Sequence, residues 1–460
     1  MNALLALPFT IVCGAVALAP VAARAEGPDL GARAVRVEGL TLADCVARAL
    51  ERNGQVAELQ GKVREWEAKA AEARSVYYPK LTATAFGAPI YAVKGDQRTL
   101  DVHRDWSDWG PYLRFDGLLT QPLSTFGRAE AGEDAARERA AVEQGALELA
   151  RQKVALDVRR YWLLHLYARS LQPLLDSTAK TLGEARAKAK ELQAEDAASV
   201  SLVDLMRLEV GWAELEKYRV QAEIGAGLSL AALKQAMGLP PEAPLVLADA
   251  VLPAVPPEPL PPLEELVRLA RERRPEAAQL AHGRRAAESL ARAEAKADLP
   301  VMALVGQLQA SWTPNRTDAE NPYANDPWND LYGGVALAFR FDLDPARSHA
   351  RAEGARSLAA QVEGLARVAA TGIPVEVRKA RDEADQAARL VAIADQGSAA
   401  AKRWMVYAST AYATGTGETK DLLEGVAAYA QTRKGYLDAL LAYHTARAQL
   451  DLATGAPPGR

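Results

Sequence analysis

The chain has 460 residues, 49% hydrophobic and 25% charged, proportions that exclude a disordered polymer. Lys and Arg total 55 against 59 Asp and Glu, a formal net charge of -4, so there is no basic footprint for nucleic acid. Two cysteines exclude a disulfide framework, and with five histidines no metal or other cofactor is expected.

Residues 1–25 open the chain with an apolar run from Ala3 to Ala23, no acidic residue and one basic residue, Arg24. Ala23-Arg24-Ala25 forms a small-x-small site ahead of Glu26, the layout of a cleaved secretory signal peptide. A retained membrane anchor is the competing reading, because the only early positive charge is the amino terminus. Val12 before Cys13 fits a lipidation box poorly. Beyond this segment no run of roughly 18 uninterrupted apolar residues occurs, so no spanning helix is expected. Entry into a membrane would then require a β-barrel. Cys45 stands in an apolar helical pattern, where simple burial is expected.

Length alone suggests about three domains at roughly 150 residues each. An internal repeat replaces that division. Leu42 to Gly54 recurs as Leu263 to Pro275, Tyr78-Pro79 as Leu299-Pro300, Val158-Arg159 as Val377-Arg378, and Met237-Gly238 as Thr454-Gly455. The expected organisation is a first repeat over 26–238, a proline-rich linker over 239–262, a second repeat over 263–455 and a tail over 456–460. Nine prolines between Pro240 and Pro262 make that linker unfit for a helix or a central strand.

Each repeat opens with a short helix (41–53, 263–273) and a second helix (55–78, 275–298) stopped by Pro79 or Pro300. A β-hairpin follows, over 81–122 and again over 301–342. In the first, Arg114, Asp116 and Thr120 share one face of an alternating segment. In the second, Gln307, Gln309 and Ser311 lie opposite Met302, Leu304, Leu308 and Trp312, and Arg340 lies opposite Leu337 and Phe339. Segments of about 11 residues suffice for a tilted transmembrane strand. Tyr77, Tyr78, Trp106, Trp109 and Tyr112 flank one hairpin and Trp312, Tyr323, Trp328 and Tyr332 the other, as at membrane boundaries. Four strands of a soluble sandwich would give the same alternation. In lipid, four strands leave open edges, which three copies would close into a barrel of 12.

Long helices are expected over 128–194 and 346–411, each followed by a helix over 202–237 or 418–453. A helix of 67 residues spans roughly 100 Å, and the shorter helices of a repeat, laid end to end, nearly match it. Leu205, Leu208, Trp212 and Leu215, then Leu423, Val426, Ala430, Leu437 and Leu440, keep coiled-coil spacing. Pro173 and Gly372-Ile373-Pro374 are expected to kink the long helices. The fold class is thus mainly α with a small transmembrane β part, built as a duplicated unit of four strands and long coiled-coil-like helices per protomer.

The opening Leu-Thr-Leu-Ala-Asp-Cys-Val-Ala-Arg-Ala-Leu-Glu-Arg-Asn at 40–53, the stop proline before each hairpin, Gln-Pro-Leu-Ser-Thr-Phe-Gly-Arg at 121–128, and Tyr412 to Glu424 together resemble the TolC family of outer-membrane efflux proteins. The resemblance runs from Leu40 to Gly455. It implies a homotrimer with a 12-stranded β-barrel in outer-membrane lipid joined to an α-helical barrel in the periplasm. It also implies a passive exit channel working with a periplasmic adaptor and an inner-membrane pump of the RND, ABC or MFS type. Tyr412 matches the family's gate tyrosine and Asp204 the aspartate it bonds. Asp421 and Glu424 match the acidic ring of the periplasmic constriction, and Gly417 replaces the gate arginine. An acid in the first turn of a helix is favoured anyway, which gives Asp204 and Asp421 a second explanation. The adaptor-docking tips fall at Gly415 and Thr416 in the second repeat and at Ala198 and Ser199 in the first, which lacks the glycine. Arg114, Asp116, Gln307, Gln309 and Arg340 would line the barrel lumen.

Enzyme motifs are missing: there is no His-Glu-x-x-His or Gly-x-Ser-x-Gly, and the run from Gly415 to Lys420 lacks Walker spacing. Asn315-Arg316-Thr317 is a glycosylation sequon without an evident role. An outer-membrane export channel and a soluble periplasmic coiled-coil scaffold or adaptor remain the competing functions.

Overall fold

The computed structural model describes residues 37–96, 101–194, 201–254, 259–316 and 328–457. The expected signal peptide at 1–25 lies outside them. The first repeat comprises β1 (Val37–Leu40), α1 (Leu42–Arg52), α2 (Gly54–Arg74), β2 (Lys80–Asp96), β3 (Asp101–Ser124), α3 (Arg128–Ala194) and α4 (Leu202–Ala236). After β4 (Leu245–Leu247) the second comprises α5 (Leu263–Arg273), α6 (Pro275–Ala295), β5 (Val301–Trp312), β6 (Asp330–Arg340), α7 (Pro345–Ala413) and α8 (Thr419–Ala453).

The helix limits follow local chemistry. Thr41 and Asp44 form a capping box at α1, and Ser201 and Asp204 form another at α4. Gly238 and Gly455, both with positive φ, close α4 and α8. The long helices α3 and α7 have 67 and 69 residues and run without interruption through Pro173 and Pro374. Each proline removes one ladder bond, and burial of Leu174 and Leu175 beside the first, and of Ile373 and Val377 around the second, holds the turn.

The shorter helices stack end to end beside the long ones. Asn53 makes the joint in the first repeat: its Oδ1 accepts from Gln55 N at 2.9 Å, while its Nδ2 donates to the Ala236 carbonyl at the end of α4 at 3.0 Å. In the second repeat Arg274 stands at the same place and bonds Glu276 at 2.9 Å and Glu376 of α7 at 2.6 Å.

Around these joints lies the main core, where Val158, Leu166, Leu233, Met237, Val377 and Leu440 are essentially inaccessible. Cys45 belongs to it, and burial pushes its thiol up to about 11, as a packed side chain requires. A second core cluster joins Leu182, Leu208, Leu215, Leu422 and Val426 nearer the helical tips.

The linker is not a loose crossing. Leu252 is buried and its N–H donates to Ser170 Oγ at 2.7 Å, His444 Nε2 bonds the Pro253 carbonyl at 2.9 Å, and Arg381 Nε donates to that of Pro261 at 3.2 Å. It is therefore strapped to α3, α8 and α7. The linker also contributes β4, which pairs in parallel with β1. The expectation of four strands thus becomes six among the described residues, because three-residue and four-residue strands are too short to show periodicity.

The larger sheet has the order β2-β3-β5-β6, all antiparallel, with β2 and β6 at its edges. The second hairpin has strands of 12 and 11 residues, as expected, but β2 and β3 reach 17 and 24. The extra length lies beyond a register shift at Tyr91/Ala92. The sequon asparagine clamps this extension: Asn315 Nδ2 donates to the carbonyls of Ile90 and Asp108, both at 3.4 Å. A Cβ at Gly110 would collide with the Asn315 amide, so a side chain there would displace the clamp.

Candidate functional site

Two regions hold the candidate residues, one on the sheet and one at the helical tips. On the sheet, register decides which side chains share a face. Asp116 pairs with Gln309, Arg114 with Ser311, and Gln309 with Tyr332. Gln307 pairs with Gly334, and Val301 with Arg340. Alternation therefore puts Arg114, Asp116, Gln307, Gln309 and Arg340 on one face. Arg114 bonds Asp116 through Nε and Nη2 at 2.9–3.0 Å and reaches Gln309 Oε1 at 3.1 Å. This is a satisfied, nearly neutral polar band. The opposite face carries Leu113, Phe115, Leu304, Leu308, Val335 and Leu337, all exposed.

At the tips, α7 turns into α8 through Thr414-Gly415-Thr416-Gly417. Gly415 has φ +74, and Thr416 N and Gly417 N both donate to the Ala411 carbonyl at 2.9 Å. A Cβ at Gly417 would lie 2.9 Å from Ala411 Cβ, so an arginine there would force the turn to open. The turn is therefore packed too tightly to hold the arginine that the resemblance puts at this position. Ala198 and Ser199 lie outside the described residues.

Tyr412 and Asp204 do not bond each other as the resemblance implied. The Tyr412 hydroxyl donates to the Ala185 carbonyl of α3 at 3.4 Å. Burial pushes its phenol up, Thr419 pulls it the other way, and the Asp204 charge adds to the rise. Asp204 is occupied elsewhere: its Oδ2 accepts from Ser201 N at 3.0 Å and Ser201 Oγ at 2.7 Å, and Arg207 stands 3.4 Å from Oδ1. Those bonds outweigh partial burial and hold the carboxyl below the usual range.

Because the folded value is depressed, the stability Asp204 contributes is present above its unfolded pKa of about 4 and is lost as pH falls through the folded value. Asp204→Asn is expected to remove about 0.5–1 kcal/mol at neutral pH. Melting curves of variant and parent should converge as the pH drops below about 4; a difference constant with pH would contradict the cap assignment.

Asp421 occupies the third position of α8, as Asp204 does in α4, but Glu418 stands at its N-cap with no side-chain cap bond. Glu418, Asp421 and Glu424 are all exposed at spacings of three, on one face of the first turns. Lys420 lies 3.9 Å from Glu424. Glu418 was absent from the sequence-based assignment, although its spacing from Asp421 is the same as that from Asp421 to Glu424.

Comparison with known proteins bears on both regions. Residues 266–456 match the family described as outer membrane efflux protein. No curated protein sequence matches the chain. Among solved structures, the outer-membrane channel OprN superposes with a TM-score of 0.73 at 16% identity, covering 91% of each chain. The CmeC outer membrane channel of Campylobacter jejuni gives 0.74 at 14% identity, covering 90% of this chain and 85% of that one. The MtrE channel of Neisseria gonorrhoeae, in an open state, gives 0.70 at 16% identity, covering 90% and 89%. The fold is that of these channels. The second half thus matches the outer membrane efflux protein family by sequence, and the whole chain shares the fold of these channels.

Proposed function

We propose that three copies of this chain form one continuous passive exit duct for a tripartite efflux or type I secretion system. In this reading the sheets close as a 12-stranded barrel and the helices as a periplasmic tube. The observation that carries it is the pair of unsatisfied sheet edges, β2 and β6, combined with an outward apolar face. Leu331, Val335 and Phe339 of β6 are 76, 73 and 52% exposed, an arrangement that water disfavours and lipid favours. Such edges are intolerable in lipid unless β6 of one copy pairs with β2 of the next.

The helices support the same assembly. Val203, Val210 and Ile224 recur at sevens on the outside of α4, and Leu365, Val368, Val375, Ile393 and Tyr407 form a stripe along α7. Within one protomer neither stripe is covered, and packing α4 of one copy on α7 of the next would bury both. Arg114, Asp116, Gln307, Gln309 and Arg340 would then face the lumen. Gly415 and Thr416 would present a tip to a periplasmic adaptor, linking the duct to an inner-membrane pump.

Purified protein reconstituted in planar bilayers is expected to give discrete single-channel steps, and the outer-membrane fraction a heat-modifiable trimer. A soluble periplasmic monomer without conductance would instead support the scaffold reading.

A further inference from the structure

The strand-to-helix corner of the first repeat contains a strained residue that the second repeat does without. Phe126 has φ 51, the sole non-glycine with positive φ among the described residues, and Gly127 follows at φ 84. A left-handed backbone is unfavourable for an L-residue and rare for bulky side chains. The cause is local. Thr125 is buried, its hydroxyl accepting from Ala129 N at 3.0 Å and its carbonyl from Arg128 N at 3.1 Å, while Ser124 Oγ accepts from Phe126 N at 3.1 Å. Capping α3 draws Thr125 inward and turns Phe126 outward.

The second repeat makes the same corner differently. Asp344 Oδ1 caps α7 by accepting from Arg347 N at 3.2 Å, and Pro345 follows without positive φ. The corner therefore needs no left-handed aromatic residue, yet the chain keeps one that is 45% exposed. Register gives its level. Ser124 pairs with Met302 and Met302 with Phe339, so Phe126 and Phe341 each lie two residues beyond the same line. Tyr78, Leu123, Phe341 and Leu343 are exposed at this end of the sheet as well. Immediately behind come cations: Arg128 opens α3, and Lys296 Nζ lies 2.4 Å from where a Cβ of Gly127 would be.

We propose that Phe126 is a lipid anchor, its ring seated at the acyl–headgroup boundary of the phospholipid leaflet on the helical side, with Arg128 and Lys296 facing the phosphates. Apolar rings backed by cations match that boundary. The proposal rests on the transmembrane reading of the sheet, and the test separates the two.

Phe126→Cys, Leu337→Cys and Lys379→Cys, each carrying an environment-sensitive nitrobenzoxadiazole label, would be reconstituted in phosphatidylethanolamine–phosphatidylglycerol vesicles. Cys45 is buried, and labelling of the parent chain provides the blank. The label at 126 is expected to be blue-shifted, quenched by shallow nitroxide lipids and shielded from aqueous iodide, as at 337 and unlike 379. A label at 126 that behaves like 379, while 337 is quenched by lipid, overturns the anchor. A label at 337 that also stays aqueous overturns the barrel reading itself. Should Phe126→Cys fail to assemble, Phe126→Trp with brominated-lipid quenching of the added emission gives the same discrimination.

Discussion

Gly238→Ala and Gly455→Ala are each expected to lower the melting midpoint by several degrees, the double variant more. Gly238 has φ +65, and a Cβ there would lie 2.8 Å from the Arg52 carbonyl oxygen. Gly455 has φ +71, and its Cβ would lie 2.9 Å from Arg273 C and Arg274 N. The left-handed conformation alone costs about 1–2 kcal/mol. The contacts are with backbone, which cannot rotate away as a side chain would, so strain adds to that figure. These glycines sit where each composite strand is spliced, α4 onto α2 and α8 onto α6, beside the main core. Gly354 of α7 provides the contrast: it is helical, exposed, and a Cβ there meets nothing within 4 Å. Gly354→Ala is expected to raise stability by up to about 1 kcal/mol. Circular dichroism melts that move the same way for 238 and 354 would refute the splice assignment.

Those splices show how far the sequence could be read. The repeat offset, the stop prolines and Gly238 and Gly455 were legible, because each is a local signal of backbone conformation. Helix limits at Arg128–Ala194 and Leu202–Ala236 follow from capping and periodicity in the same way. The alternation that put Arg114, Asp116, Gln307, Gln309 and Arg340 on one face survives because strand register preserves parity. What sequence could not supply were contacts between distant segments. The Asn53 bond to Ala236, the strap of Leu252 on Ser170, and the clamp of Asn315 over Gly110 join residues 82 to 207 positions apart. The Tyr412–Asp204 link failed for a local reason. Ser201, three residues before Asp204, forms a capping box that claims the carboxylate. That spacing was visible and names a competitor for the same oxygen atoms.

Asp421→Asn with Glu424→Gln is expected to lower the cation-to-anion permeability ratio several-fold at low salt. The two repeats place an aspartate at the same helical position, but only Asp204 is spent on its cap. At Asp421 the preceding cap residue is Glu418, itself acidic and without a cap bond, so the α8 start carries three exposed carboxylates against one nearby lysine. In the proposed trimer nine carboxylates and three Lys420 ammonium groups would surround the entrance, and the double variant removes six of the carboxylates. A ring of that sign concentrates cations and repels anions by a potential that salt screens. The Debye length falls from about 10 Å at 0.1 M to about 3 Å at 1 M, so the variant and parent should converge as ionic strength rises. Reversal potentials under a potassium chloride gradient read this directly. Unchanged selectivity at low salt would remove Asp421 and Glu424 from the constriction. A difference that neither closes at high salt nor reverses when Asp421→Glu replaces Asp421→Asn would point to a collapsed tip. Glu418→Gln alone should move the ratio in the same direction, because it shares the face and lies one turn closer to the Gly415 tip.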